Sequence, residues 1–445
     1  MREMKDSGVE WIGMIPSTWK NKTLRHLLID RVGGAWGNEP ANENEGTVCL
    51  RIADFDFDKG LFKECALDEL TYRTYTRKQI KKLALREGDI LIEKSGGGEK
   101  TPVGRAVYYD GSYGAVLYAN FMERLRFKSD EINSKFVEYW LRTWYFCRCS
   151  PFYINQTIGI QNIDLTLMLA KEQIFFPLLQ DQYKIADFLD QKCSEIDALT
   201  ADIQTQIETL EEYKKSIITE AVTKGLDPNV EMKDSGVDFI GYMPSHWKTL
   251  RIKYIGTYFN GLTYSPQDIC EPSEGTLVLR SSNIKNSKLD LNDCVYVSRN
   301  INSSKMVKPE DILICSRNGS RELVGKSAYI TDIKASFGAF MMILRPCALV
   351  KSKYIFYILN SGVFSYYLAS FFTSTINQLT ANNFGNMKIP FVGSLDEQHQ
   401  IADFLDQKCS EIDQTISEKQ QQLETLAEYK KSLIYEYVTG KKEVT

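Results

Sequence analysis

Residues 185–197 read IADFLDQKCSEID, and residues 401–413 read IADFLDQKCSEID again without a change. The repetition extends beyond this string in both directions. Residues 3–20, EMKDSGVEWIGMIPSTWK, return at 231–248 as EMKDSGVDFIGYMPSHWK. The stretch Leu210-Glu211-Glu212-Tyr213-Lys214-Lys215-Ser216 returns as Leu426-Ala427-Glu428-Tyr429-Lys430-Lys431-Ser432. The chain is therefore written twice, and self-similarity at this period decides the architecture before any single motif does. The offset falls from about 228 residues at the start to about 216 at the end, so the second copy is slightly shorter.

Around the identical string, apolar residues recur every seventh position. Leu189, Ile196, Ile203, Leu210 and Ile217 mark the first copy, and Leu405, Ile412, Leu426 and Leu433 mark the second, with Lys419 as one charged intrusion. No Gly or Pro interrupts residues 181–224, Pro177 and Pro390 lie upstream, and Gly225 and Gly440 lie just past the far ends. That spacing predicts two long amphipathic helices with a heptad seam. Neither can bury its stripe alone, so they are expected to pack on each other as an antiparallel pair related by a pseudo-twofold axis. The alternative is that each helix packs back on its own neighbouring domain.

The segments between the helices, 1–180 and 229–396, differ in sequence but keep common punctuation. Gly88-Asp89-Ile90-Leu91-Ile92 corresponds to Glu310-Asp311-Ile312-Leu313-Ile314, and Phe121-Met122-Glu123-Arg124 to Phe340-Met341-Met342-Ile343. Short apolar runs bounded by Gly, Asp and Asn predict strands with tight turns, and helical patterning enters late, at 135–145 and 353–361. Each is expected to be a strand-rich α+β domain. The two copies thus share one fold and carry different surface residues.

Composition bounds the function. The 445 residues are 43% hydrophobic and 25% charged, ordinary for a folded chain too long for one core. No run of about 18 apolar residues occurs and the start is polar, so neither a membrane span nor a signal peptide is expected, and a cytoplasmic location is. Ten scattered cysteines without a CxxC, and only His26, His246 and His399, argue for reduced thiols and against a zinc site. The net charge of −4 conceals a split. Residues 181–228 carry eleven acids against five bases, and 397–445 ten against six, which leaves +6 on the rest. A positive balance on the two large segments suits a polyanion.

Catalytic signatures are missing. There is no Gly-x-Gly-x-x-Gly after a strand, no Asn-Pro-Pro-Tyr loop, and no nuclease-like carboxylate and lysine set. The stretch from Gly319 to Gly325-Lys326-Ser327 has one residue too many for a phosphate loop and sits between strands, where no helix opens to cradle phosphate. What the variable segments do carry is polar and basic residues in turns. Candidate DNA contacts in the first copy are Arg51, Lys94, Ser95, Gly97, Lys100, Arg105, Gln161 and Asn162. In the second they are Arg280, Asn283, Arg317, Asn318, Arg321, Lys326, Asn377 and Gln378. Arg and Lys can hold phosphates or guanine, Asn and Gln suit adenine, and glycine allows close approach to a groove. For any one of them, a plain surface turn is an equal reading. The loops 157–162 and 375–380, and the basic stretch 73–82, complete the candidates.

These residues together resemble one family. SGVEWIGMIPSTWK, GDILIEKSGGG followed by VGRA, the DQYKIADFLD run, and the terminal L-x-x-Y-K-K-S pattern look like type I restriction–modification specificity subunits. The resemblance covers essentially the whole chain. It implies a target-recognition domain at 1–180, a shared helical arm at 181–228, a second recognition domain at 229–396 and a second arm at 397–445. The implied fold is α+β, two strand-rich α/β domains in tandem joined by two long helices packed as an antiparallel coiled coil. Each domain would read half of a split site on double-stranded DNA, and the helices would set the spacer. The chain itself would have no catalysis and no cofactor. Two modification subunits would methylate adenine, two restriction subunits would translocate and cut, and S-adenosylmethionine, ATP and Mg would sit on these partners. The family's Glu-Gln before the arm is Glu397-Gln398 in the second copy and Asp181-Gln182 in the first. The competing function is a freestanding bipartite DNA-binding regulator or scaffold.

Overall fold

The computed structural model describes residues 2–41, 46–157, 159–298, 301–371 and 377–444, the side chains at 156 and 157 excepted. Four helices carry the scaffold: α1, Ser134–Phe146; α2, Leu179–Lys224; α3, Ser352–Leu359; and α4, Leu395–Val438. The chain is mixed helix and strand, and it divides into two compact units. One is Met1–Ile203 with Gln421–Thr445, and the other is Gln204–Gln420. Each long helix contributes to both units, the first passing between them at Ile203 and the second at Gln420. The apolar stripe of each helix enters the core of one unit with one half and that of the other unit with the other half.

In the first unit, Ile185, Leu189, Cys193 and Ile196 of α2 enter one core with Leu433, Ile434, Tyr437 and Val438 of α4 and with Phe136, Trp140 and Trp144 of α1. The helices thus meet as opposed segments, and Lys430 closes an ion pair with Asp197 at 2.6 Å. In the second unit, Ile218, Ala221 and Val222 of α2 share a core with Ile401, Leu405 and Cys409 of α4 and with Tyr354, Ile355 and Ile358 of α3. Both packings weighed in the sequence therefore occur together.

The seam departs from a strict heptad. Leu189, Ile196, Ile203, Leu405, Ile412 and Leu433 are buried, but Leu210, Ile217 and Leu426 are only half-buried, while Ile207, Ile218, Ala221 and Ile434 are buried. A straight helix drifts about 20° per heptad against a seven-residue repeat, so the buried stripe slides off the heptad position within four turns of the pattern. The intruding Lys419 is met by the Gln206 side chain.

Each unit is built on a four-stranded antiparallel sheet. In the first its order is Ala106–Tyr108, Ile90–Glu93, Met122–Phe127, Leu28–Gly33. In the second it is Ser327–Tyr329, Ile312–Cys315, Met341–Pro346, Gly256–Asn260. A second small sheet pairs Thr47–Leu50 in parallel with Leu117–Tyr118, and its counterpart pairs Thr276–Leu279 with Ala335–Phe337. The shared Asp before each central strand has a structural task. Asp89 binds Arg126 in a two-point ion pair at 2.6 and 2.7 Å, and Asp311 binds Arg345 at 2.8 and 2.7 Å. Both aspartates are buried, and both also accept a backbone N–H three residues upstream, from Arg86 and Lys308. A buried charge is tolerable only when so paired.

Candidate nucleic-acid interface

The two units present one framework at the end of the central strand. In the second unit the carbonyl of Phe340 accepts from the backbone N–H groups of Ser316 and Arg317, at 2.9 and 3.1 Å. In the first, Phe121 does the same for Lys94 and Ser95, at 2.9 and 3.3 Å. The loop leaving the strand is then held from its other side. Leu379 N–H reaches Ser316 O at 2.8 Å, and Ile163 N–H reaches Lys94 O at 3.0 Å. Arg317 bridges Gln378, as Ser95 pairs with Asn162 and Gly96 with Gln161. Segments far apart in sequence are thereby brought to one edge.

A glycine makes room for a third segment. A Cβ on Gly34 would lie 2.1 Å from Ala119 O, and one on Gly261 2.0 Å from Phe337 O. Only glycine allows such backbone approach. The segment that follows brings Tyr264 into the groove of the second unit, and the corresponding segment of the first carries Trp36. Trp36 is exposed and stacks with the Arg73 guanidinium, 4.4 Å from ring centre to carbon.

In the second unit these segments enclose a groove of about 1020 Å³. Arg280, Arg317, Asn318, Asn377 and Gln378 line it together, with Tyr264 and Phe340 as its aromatic rings. Asn318 donates to Ser281 Oγ at 3.1 Å and Asn377 to Gly319 O at 3.1 Å, which orients both amides. Arg280 is paired with Asp293 at 2.8 Å on the exposed rim, and Arg317 lies over the Phe340 ring at 5.3 Å. Amide and guanidinium groups so placed can offer donors and acceptors to a base edge or a phosphate.

Other candidates fall elsewhere. Asn283 is buried, accepting from Arg280 N–H at 2.9 Å and donating to the carbonyls of Asp290 and Asp293, so it locks a turn and has nothing left for a ligand. Its counterpart Asp54 plays that part for Arg51, whose side chain it also binds at 2.9 Å; this bond raises the guanidinium pKa. Arg105 is committed to Glu93 at 2.9 and 3.1 Å and covers the Phe57 ring, and the nearly buried Gln161 accepts from Val103 N–H at 3.3 Å. These corrections share a cause: a polar residue that closes a turn looks in sequence like one that reads a ligand. Lys326 opens on a different groove, beside Lys285 and Lys288, and Arg321 is exposed on the short turn Arg321–Leu323.

The first unit keeps Ser95 and Asn162 at the edge, joined at 2.6 Å, with Lys94 half-exposed and Lys100 exposed. Gly97 has φ +61, and a Cβ there would meet Val103 N at 2.8 Å, so it shapes the loop. The basic stretch forms the short helix Arg77–Leu83, capped by Thr76. Of the two further candidate loops, residues 158 and 375–376 lie outside the described residues, as do the side chains of 156 and 157.

The model for the type I restriction modification DNA specificity domain matches residues 43–209 and 244–425. The chain belongs to this family. It is 30% identical over 205 residues to the type I restriction enzyme StySPI specificity subunit of Salmonella potsdam, covering 45% of this chain and 44% of that protein. The EcoKI specificity subunit of Escherichia coli K12 gives 30% over 206 residues, with the same coverage. The aligned region thus spans less than half the length of these curated relatives. The MjaVIII specificity subunit of Methanocaldococcus jannaschii is 25% identical over 81% of this chain and 80% of its own. Among solved structures, a chain from work on complex assembly and conformational transition of the type I R-M system superposes with a TM-score of 0.69 at 14% identity. It covers 95% of this chain and 98% of that one, a likeness of fold.

In the sequence Phe121 and Phe340 stood out only as matched positions of the two copies, and neither was among the candidate contacts. The signal was present, since phenylalanine stands at the same position in both family domains while the loops beside it differ. Among the described residues no helix is long and apolar enough to cross a membrane, and no three His, Cys, Asp or Glu side chains gather as a metal site.

Proposed function

We propose that the chain is the DNA specificity subunit of a type I restriction–modification system, and that each unit reads one half of a two-part site on double-stranded DNA. One observation carries this reading. Two domains hold the same backbone frame, clamped by the Phe121 and Phe340 carbonyls, yet set different polar side chains into it: Lys94, Ser95 and Asn162 against Arg317, Asn318 and Gln378. Identical frames with different donors and acceptors suit two different sequences. Family membership and the positive balance outside the helical arms support the same conclusion.

In this reading the chain binds and does not catalyse. Modification subunits carrying S-adenosylmethionine act on the DNA it selects, and restriction subunits using ATP and Mg join them. Two heads on one chain gain affinity because the second half-site is bound intramolecularly. The length of the uninterrupted helices sets how many unread base pairs separate the halves. The test is exchange of residues 20–170 for those of a relative, followed by methylation mapping of a host carrying the complete system. One half of the methylated motif should change. Changes in both halves, or binding of a whole site by the chain alone as a regulator would, defeat the reading.

A further inference from the structure

The reading of DNA leaves one feature unused. Phe121 and Phe340 are 46% and 59% exposed, at equivalent strand ends of the two units, and Phe340 lines the groove of the second. A single exposed phenylalanine is ordinary on a protein surface, but this one recurs at the same place in two domains whose neighbouring loops have diverged. Its backbone is fixed by two successive N–H groups donated to its own carbonyl, so the ring is held out from a rigid strand end. In the second unit Tyr264, on the segment that follows the obligatory glycine, lines the same groove as the Phe340 ring. Arg317 lies over the Phe340 ring, so a guanidinium and an aromatic face stand together in the groove of the second unit.

Resting on the proposed function, we propose that Phe121 and Phe340 are unstacking residues. Each lays its ring against the face of a base in its half-site and parts that base from its neighbour. An apolar wedge contributes in this way at minor cost to specificity, because every base has an aromatic face. That tolerance explains why the phenylalanine is common to both units while the base-reading side chains are not. Contact with a thymine methyl would instead require thymine at the same place in both halves.

The experiment uses the full chain assembled with its modification subunits, on duplexes carrying the fluorescent base 2-aminopurine at one position at a time. The base that becomes methylated is left unsubstituted, since its partner extrudes it. Wild type should raise fluorescence several-fold at one position in each half. Phe340→Ala should abolish the rise in the second unit's half and spare the other, Phe121→Ala should do the converse, and Phe340→Trp should retain it. A rise that survives Phe340→Ala, or none in a wild-type complex that still distinguishes its half-sites, overturns the inference and leaves the proposed function standing. Loss of half-site discrimination by the wild-type complex overturns both.

Discussion

The side chain of Gln398 accepts the backbone N–H of Lys351 at 2.6 Å, and it donates to the carbonyls of Leu349 and Val392 at 3.2 and 2.7 Å. Gln182 repeats this in the first unit, accepting from Asn133 at 2.8 Å and donating to Pro177 O at 3.0 Å. Both glutamines are fully buried at the start of a long helix. The Glu-Gln motif is therefore a rivet between arm and domain. Gln398→Leu leaves a donor and two acceptors unpaired in the core, and should cost roughly 3 kcal/mol or more. Gln182→Leu should behave likewise, while Gln400→Leu, at an exposed position of the same turn, leaves the urea midpoint unchanged.

Glu138 gives the first unit a pH dependence. Burial pushes its carboxyl from the ordinary 4.5 up to about 7, against the opposing pull of Arg142. The Arg142 Nε lies 3.5 Å away without hydrogen-bond geometry, and neither carboxylate oxygen has a hydrogen-bond partner. The folded state thus holds the proton more tightly than the unfolded chain. The stabilisation is complete below about pH 4.5 and disappears as pH rises through about 7, a difference of roughly 3 kcal/mol. Glu138→Gln should remove this slope, so that the variant matches wild type near pH 5 and exceeds it at pH 8 in denaturant titrations.

What could be read in the sequence was whatever a period or a repeat encodes. The helices at 179–224 and 395–438, the strands at Ile90 and Ile312, and the pairing of the arms all follow from apolar spacing that tertiary contacts reinforce. The seam failed at Leu210 and Ile217 because helical drift is geometric and leaves no mark on a heptad count. The candidate site was legible only in part. Arg317, Asn318, Asn377 and Gln378 do converge, but Asn283 is taken up by its own turn, Arg105 by Glu93 across the strand pair, and Gln161 by Val103, 58 residues away.

The obligatory glycines offer a direct check on the groove frame. Gly261→Ala would set a methyl 2.0 Å from the Phe337 carbonyl oxygen and 2.4 Å from that of Gly338, and backbone cannot swing aside as a side chain can. Overpacking of this kind costs up to roughly 3 kcal/mol, which lowers Tm by about 6–12 °C for a unit of this size. Gly34→Ala should do the same in the first unit. By contrast Gly319→Ala, where a Cβ meets nothing within 4 Å, should leave Tm in place.

Charge in the groove and charge on the rim should separate by their response to salt. Arg317 lines the groove among Asn318, Asn377 and Gln378, where a guanidinium can meet a base edge, whereas Lys100 is exposed on its loop, where contact with the phosphate backbone is expected. Arg317→Ala should cost about 1–3 kcal/mol on the correct second half-site and little on a scrambled one, so discrimination falls roughly ten- to a hundredfold. Lys100→Ala should weaken binding to every sequence alike and reduce the slope of log K against log salt by about 1. Titrations of the assembled complex from low to physiological salt measure both. A uniform loss with Arg317→Ala would place that guanidinium on the backbone and leave the reading of the second half to the three amides.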